Sequence, residues 1–224
     1  MTQRLLFADS HAAADALTFS GRTTALGDGA VRLQAADGVL VMTSAPLAPR
    51  GLFDATPTVL GMRALPVDPE LVCDVIVAAS TLVRAPDDDS ALQLPDTGLS
   101  APWAGVSPPR GGWVDAGSVP ASTLAARAQW GIASVAESVP TDSGEDAVRA
   151  VRAAVWGPPD EALAGLPLGA AFAAFALGFI VGEEDAILRT SGPWTRLTLA
   201  RGHIVVRGPA KAGLTPIRST GRTE

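Results

Sequence analysis

A charge-free run of 21 residues, Ala162–Gly182, constrains this chain more than any other feature. Its centre reads Leu166-Pro167-Leu168-Gly169-Ala170-Ala171-Phe172-Ala173-Ala174-Phe175-Ala176-Leu177-Gly178-Phe179-Ile180-Val181. A run of that length can span a bilayer. The flanks argue against it. Asp160 and Glu161 precede it, Glu183, Glu184 and Asp185 follow, and no Arg or Lys stands ready as an anchor. Pro167 suits the first turn of a helix and cuts the helical part to about 14 residues. The expectation is a buried core helix. Gly169, Ala170, Ala173 and Ala174 would let a sheet or another helix approach its backbone.

Such a helix needs apolar surface around it. The chain has 224 residues, 47% hydrophobic and 18% charged, enough for one large domain or two small ones. Its net charge of -6 excludes a nucleic-acid binder that uses its whole surface. The single Cys73 excludes an intramolecular disulfide and any multi-cysteine metal site. His11 and His203 stand near opposite ends, so no metal and no cofactor are expected. One lysine against sixteen arginines reads as GC-rich bacterial composition. The first nine residues lack a signal-peptide pattern, which makes a soluble, cytoplasmic protein with no membrane contact the expectation.

Along the chain, Ser10 is placed to cap a helix that ends near Gly21. Val31-Arg32-Leu33-Gln34, the Asp37-Gly38 turn and Val39-Leu40-Val41-Met42 form a hairpin. Residues 58–65 read as a strand. Residues 69–80 divide between helix and strand; the β-branched run after Cys73 favours strand. A second hairpin flanks Asp87-Asp88-Asp89, read as a solvated turn. Residues 96–119 carry five glycines, three prolines, Trp103 and Trp113 without periodicity, and read as a loop or linker. Helices follow from about Pro120 to Glu137 and from about Ser143 to Trp156, the latter capped by Asp142 or Ser143. The apolar helix is third, and strands close the chain. No internal repeat of 20–50 residues is visible. The order predicts an α+β fold: an antiparallel β-rich region 1–95, the loop 96–119, three helices and a terminal hairpin in 120–207, and a flexible basic tail 208–224. If the halves share a sheet, this is one domain.

Signatures of known chemistry are missing from the sequence. Gly27-Asp28-Gly29 lacks the third glycine of a dinucleotide loop, and Gly105-Val106-Ser107-Pro108 cannot make a nucleophile elbow. Cys73 reads as a small buried apolar residue, with Asp74 on the opposite face.

Charge distribution is more informative. From Arg189 onward there are seven bases and one acid; before it, ten bases and 22 acids. With a turn at Arg201-Gly202, Arg196 would face Arg207 across the terminal hairpin, beside Trp194. Like charges so opposed are unfavourable, and an anion should lie between them. The anion-binding candidates are therefore Arg196, Arg207, His203 and Trp194. The anion is either an internal acid such as Glu183 or Glu184 or an external ligand. Trp103, Arg110 and Trp113 are candidates for an interaction loop, or for a plug between the halves.

Function itself is not legible. The leading expectation is a non-catalytic binding or assembly protein with a protein partner or a second copy. An enzyme acting on an anionic small molecule is the alternative, with Glu183, Glu184 or Asp74 as acid or base. Local nucleic-acid contact by the terminal hairpin and tail is a third reading, though the acidic average makes nucleic acid an unexpected partner.

Overall fold

The computed structural model describes residues 4–51, 53–140, 142 and 144–208. β1 (Arg4–Leu6) leads into α1 (Ser10–Thr23). Asp9, not Ser10, is the N-cap: its Oδ1 accepts from the Ala12 N–H at 2.8 Å. β2 (Ala30–Ala36) and β3 (Val39–Leu47) form the expected hairpin. Asp37 and Gly38 both have positive φ, 52° and 77°, which matches the twist of the flanking strands. β4 (Thr58–Pro66) follows, then β5 (Cys73–Ala78), so the ambiguous segment is a strand. A 3₁₀ turn (Ala79–Thr81) precedes β6 (Val83–Ala85) and β7 (Asp88–Gln93). Only Asp87 of the acidic triplet lies in the turn; Asp88 and Asp89 begin β7.

The Gly/Pro/Trp segment has more structure than its composition suggests. It holds a 3₁₀ turn (Pro102–Gly105) and ends in β8 (Val114–Pro120), an edge strand. Its interior lacks periodicity because it wraps a sheet and adds no layer of its own. α2 (Ala121–Ser138) and α3 (Glu145–Trp156) come next. Gly144 is the N-cap of α3 and has no side chain to offer, so Asp142 is not the cap; Ser143 lies outside the described residues. The two-residue strands β9 (Pro159–Asp160) and β10 (Leu166–Pro167) bracket a 3₁₀ turn (Glu161–Leu163). α4 (Leu168–Ala176) is shorter than expected, because Gly178 at φ 67° turns the chain out of the helix. Among the described residues no helix is long and apolar enough to cross a membrane. β11 (Asp185–Ser191), β12 (Trp194–Leu199) and β13 (Gly202–Arg207) close the described chain. The tail expected at 208–224 lies outside the described residues beyond Gly208.

The fold is α+β. One antiparallel sheet runs β5-β2-β3-β4-β13-β12-β11-β8, so the two halves of the chain share it through the β4–β13 seam. Each half contributes a helix followed by three antiparallel strands, and the strand orders run outward from the seam in mirror sequence. A small sheet β1-β7-β6 packs beside α1.

Strand alternation gives the large sheet two unlike faces. The helix face carries Leu33, Met42, Val59, Leu65, Leu197, Ile204 and Val206, all buried, with α1 and α4 packed on that side and α2 packed against α4. Glycine permits the closest approaches. A Cβ on Gly61 would collide with Leu177 Cδ1, and one on Gly202 would stand 2.6 Å from the Phe179 ring. Phe179 in turn stacks on Phe19 of α1, at 6.2 Å between centroids. The outer face carries Ala30, Ala45, Leu60, Trp194 and Val205, covered by Ala101, Trp103 and Ala104 from the wrapping segment. Trp103 joins a cluster that includes residues from both sides of the seam, and its Nε1–H donates to Asp28 Oδ2 at 2.9 Å.

Candidate functional site

The terminal hairpin presents its predicted faces with different partners. Ala200 and Arg201 make the turn, so Leu199 pairs with Gly202, Arg196 with Val205 and Trp194 with Arg207. The expected Arg196–Arg207 pair does not form. Gly202 stays in the strand because Phe179 packs over it, which moves the turn back by one residue. The partners shift by two residues, and a shift of two preserves the faces.

Arg196 still meets a like charge. Its neighbour on β11 is Arg189. Burial, and then the Arg189 charge, hold the Arg196 guanidinium below its ordinary affinity for a proton. It remains a cation, since arginine keeps its proton in proteins. Its Nε is buried and makes no hydrogen bond, and it has no ion pair among the described residues. Its guanidinium lies over the Trp113 ring at 4.5 Å, and Arg207 lies over Trp194 at 5.8 Å. Trp113 is itself held by Nε1 donating to the Pro109 carbonyl at 3.1 Å, within the Pro108–Trp113 loop that also carries Arg110.

His203 lies on the same face, in a setting that disfavours its charged form. Burial lowers its proton affinity, and the Arg196 and Arg63 charges lower it further. Its Nδ1 lies 3.2 Å from Thr198 Oγ1 on the paired strand.

The carboxylate candidates are placed elsewhere. Asp74 on β5 is five strand spacings from β12, roughly 24 Å along the sheet. It forms a two-pronged pair with Arg32, 2.8 Å to each oxygen, and accepts from Gln34 as well. That Arg32 pair is the main cause of its depressed proton affinity. Glu184 accepts backbone N–H groups from Val181 and Ala200, so it fixes the hairpin turn. Glu183 is exposed. Cys73 is half-buried, less covered than expected, and burial raises its thiol proton affinity. Four strand spacings separate it from His203. Among the described residues no group of three potential metal ligands converges.

Two cavities lie away from this face. One, of about 390 Å³, opens between α3, the Ala45–Arg50 segment and Trp103. The other, of about 400 Å³, lies where the C-terminal ends of α1 and α4 meet the β12–β13 turn, with Arg22, Arg63 and Arg201 in its wall. There Arg63 pairs with Asp15, and Arg22 donates to the Leu177 carbonyl.

Sequence reasoning named Arg196 and Trp113 separately but missed their contact, and it missed Arg189. The parity of β11 held the second signal, because Ile187, Arg189 and Ser191 alternate onto the outer face. Nothing in the sequence tied loop residue 113 to strand residue 196.

Two family models match the chain: residues 1–105 match a domain of unknown function, DUF8010, and residues 108–211 match another, DUF8185. No curated protein matches in sequence. Among solved structures, the chain is similar to a putative DNA polymerase III beta subunit from Eubacterium rectale. The TM-score is 0.50 at 6% identity, over 95% of this chain and 66% of that one. It is also similar to a DNA polymerase sliding clamp from Caulobacter crescentus, with TM-score 0.48 and 14% identity over 99% of this chain and 69% of that one. A sliding clamp from Bartonella birtlesii bound to griselimycin gives 0.46 and 12%, over 94% and 66%. The chain spans about two thirds of the length of these proteins. The likeness to the Eubacterium rectale protein shows a shared fold.

Proposed function

We propose that this chain is a non-catalytic binding and assembly protein, and that it takes an anionic group of a protein partner on the outer face of β11–β13. The desolvated Arg196 carries this reading. A guanidinium without a carboxylate among the described residues, opposite Arg189 and over Trp113, is a cost to the fold that an external anion would offset. The fold shared with a putative DNA polymerase III beta subunit supports assembly over catalysis. Asp74 is spent on Arg32 and Glu184 on backbone amides, which weakens the enzyme alternative.

A second reading, that the anion is a nucleic-acid backbone, draws on the two tryptophan faces beside Arg196 and Arg207. One experiment separates the two. Fluorescence anisotropy is measured on the full chain with a labelled acidic peptide and with labelled single-stranded and duplex DNA, at several salt concentrations. The proposal expects peptide binding that Arg196→Gln weakens about ten-fold. Binding of DNA alone, with a steep salt slope, would favour the second reading. Binding that Arg196→Gln leaves unchanged would overturn both.

A further inference from the structure

We infer that the cavity beneath α3 is a binding site for a small amphipathic carboxylate, with Arg152 holding the head group. The cavity, about 390 Å³, falls in the range of small-molecule sites. Its lining is mostly apolar: Ala45 to Pro49, Pro102, Trp103 and Val148. α3 forms one wall; Trp156 is buried and Val151 and Val155 pack against the core. Val148, on that wall, is half-buried.

Of the cations around the cavity, only Arg152 lacks a carboxylate among the described residues. Asp28 keeps its negative charge, but both oxygens are occupied, accepting from the Ala30 N–H and from Trp103 Nε1–H. Glu145 is taken by Arg149 at 2.6 Å, and Arg149 also holds Asp146 at 2.7 Å. Arg50 faces Asp146 at 3.9 Å. Arg152 remains. It has no ion pair among the described residues, its Nε is buried without a hydrogen bond, and its guanidinium lies 5.6 Å from the Trp156 ring. A mostly apolar cleft whose free carboxylate is already hydrogen-bonded on both oxygens, and whose Arg152 has no carboxylate among the described residues, matches a ligand with an aliphatic body and one negative charge. A neutral apolar ligand would fill the volume but leave Arg152 unanswered. A dianion such as inorganic phosphate would leave the apolar lining unused.

The test is an NMR titration of the full chain with octanoate and with octanamide, its neutral counterpart, following the Trp103 indole N–H, assigned through Trp103→Phe. Octanoate is expected to saturate that signal at about millimolar concentration. Octanamide is expected to bind about ten-fold more weakly, and Arg152→Met to remove the difference between the two. Equal affinity of the two ligands for the unaltered chain would overturn the proposal, and this comparison needs no variant to fold. Absence of any octanoate-dependent shift, or saturation by a hydrophobic peptide only, would overturn it too. So would an Arg152→Met protein that binds octanoate as the parent does.

Discussion

The outer face of the sheet treats its two halves differently. On the N-terminal side, Arg32 has Asp74 on two oxygens, the Ala104 carbonyl and Ser107 Oγ. Its proton affinity is raised, chiefly by the hydrogen bond to Asp74. On the C-terminal side, Arg196 has a like charge opposite, a tryptophan ring above it and a depressed proton affinity. The residue type and the face are the same; what differs is whether the described residues supply the counter-charge. A paired guanidinium fastens the wrapping segment to the sheet. An unpaired one adds little to the fold and keeps its capacity for a partner from outside.

If the halves are one cooperative body, damage at their seam should exceed any change to either arginine. A Cβ on Gly202 would meet both the Phe179 ring and the Met62 carbonyl, at 2.6 and 2.8 Å. Gly202→Ala should cost about 3 kcal/mol and lower the melting of both halves in a single calorimetric transition. Two separate transitions would break the description of a shared core.

Arg32→Met comes next. It leaves Asp74 with only the Gln34 donor and the Ala104 carbonyl with none from Arg32, and should cost about 2 kcal/mol by urea denaturation. Asp74 is half-exposed, so solvent screening keeps the figure modest. Arg196→Met should do the reverse. Removing a partly buried charge that has no ion pair among the described residues should leave stability unchanged or raise it by about 1 kcal/mol, while anion binding is lost. A cost equal to that of Arg32→Met would erase the contrast.

The smallest effect is the pH dependence of His203. Its proton affinity in the fold lies below that of the unfolded chain, so the unfolded state takes up the proton first. The stability it contributes is full above the ordinary histidine range and declines as pH falls through it. His203→Gln should flatten the melting temperature between about pH 7 and pH 5 relative to the parent.

Much of the fold was legible because its signals are local. The Asp37-Gly38 hairpin, the β4 strand and the acid-flanked apolar helix each carry their own pattern. The β5 strand was readable from β-branching after Cys73 against a competing helix start at Asp68-Pro69. What was not legible depends on distant packing. The turn at Ala200-Arg201 is set by Phe179 lying over Gly202, and β8 is a strand because β11 offers it an edge. The same holds for the candidate site: alternation put Arg196 on the right face, but only the fold brought Trp113 over it and Arg189 beside it.

The contrast between the two arginines can be read in a single spectrum. The Nε–H signals of Arg32 and Arg196 are followed in a nitrogen–proton correlation experiment while an acidic peptide is added to the full chain. The account predicts that Arg196 shifts and saturates while Arg32, held by Asp74, stays in place. An unmoved Arg196, or equal shifts of both, would contradict it.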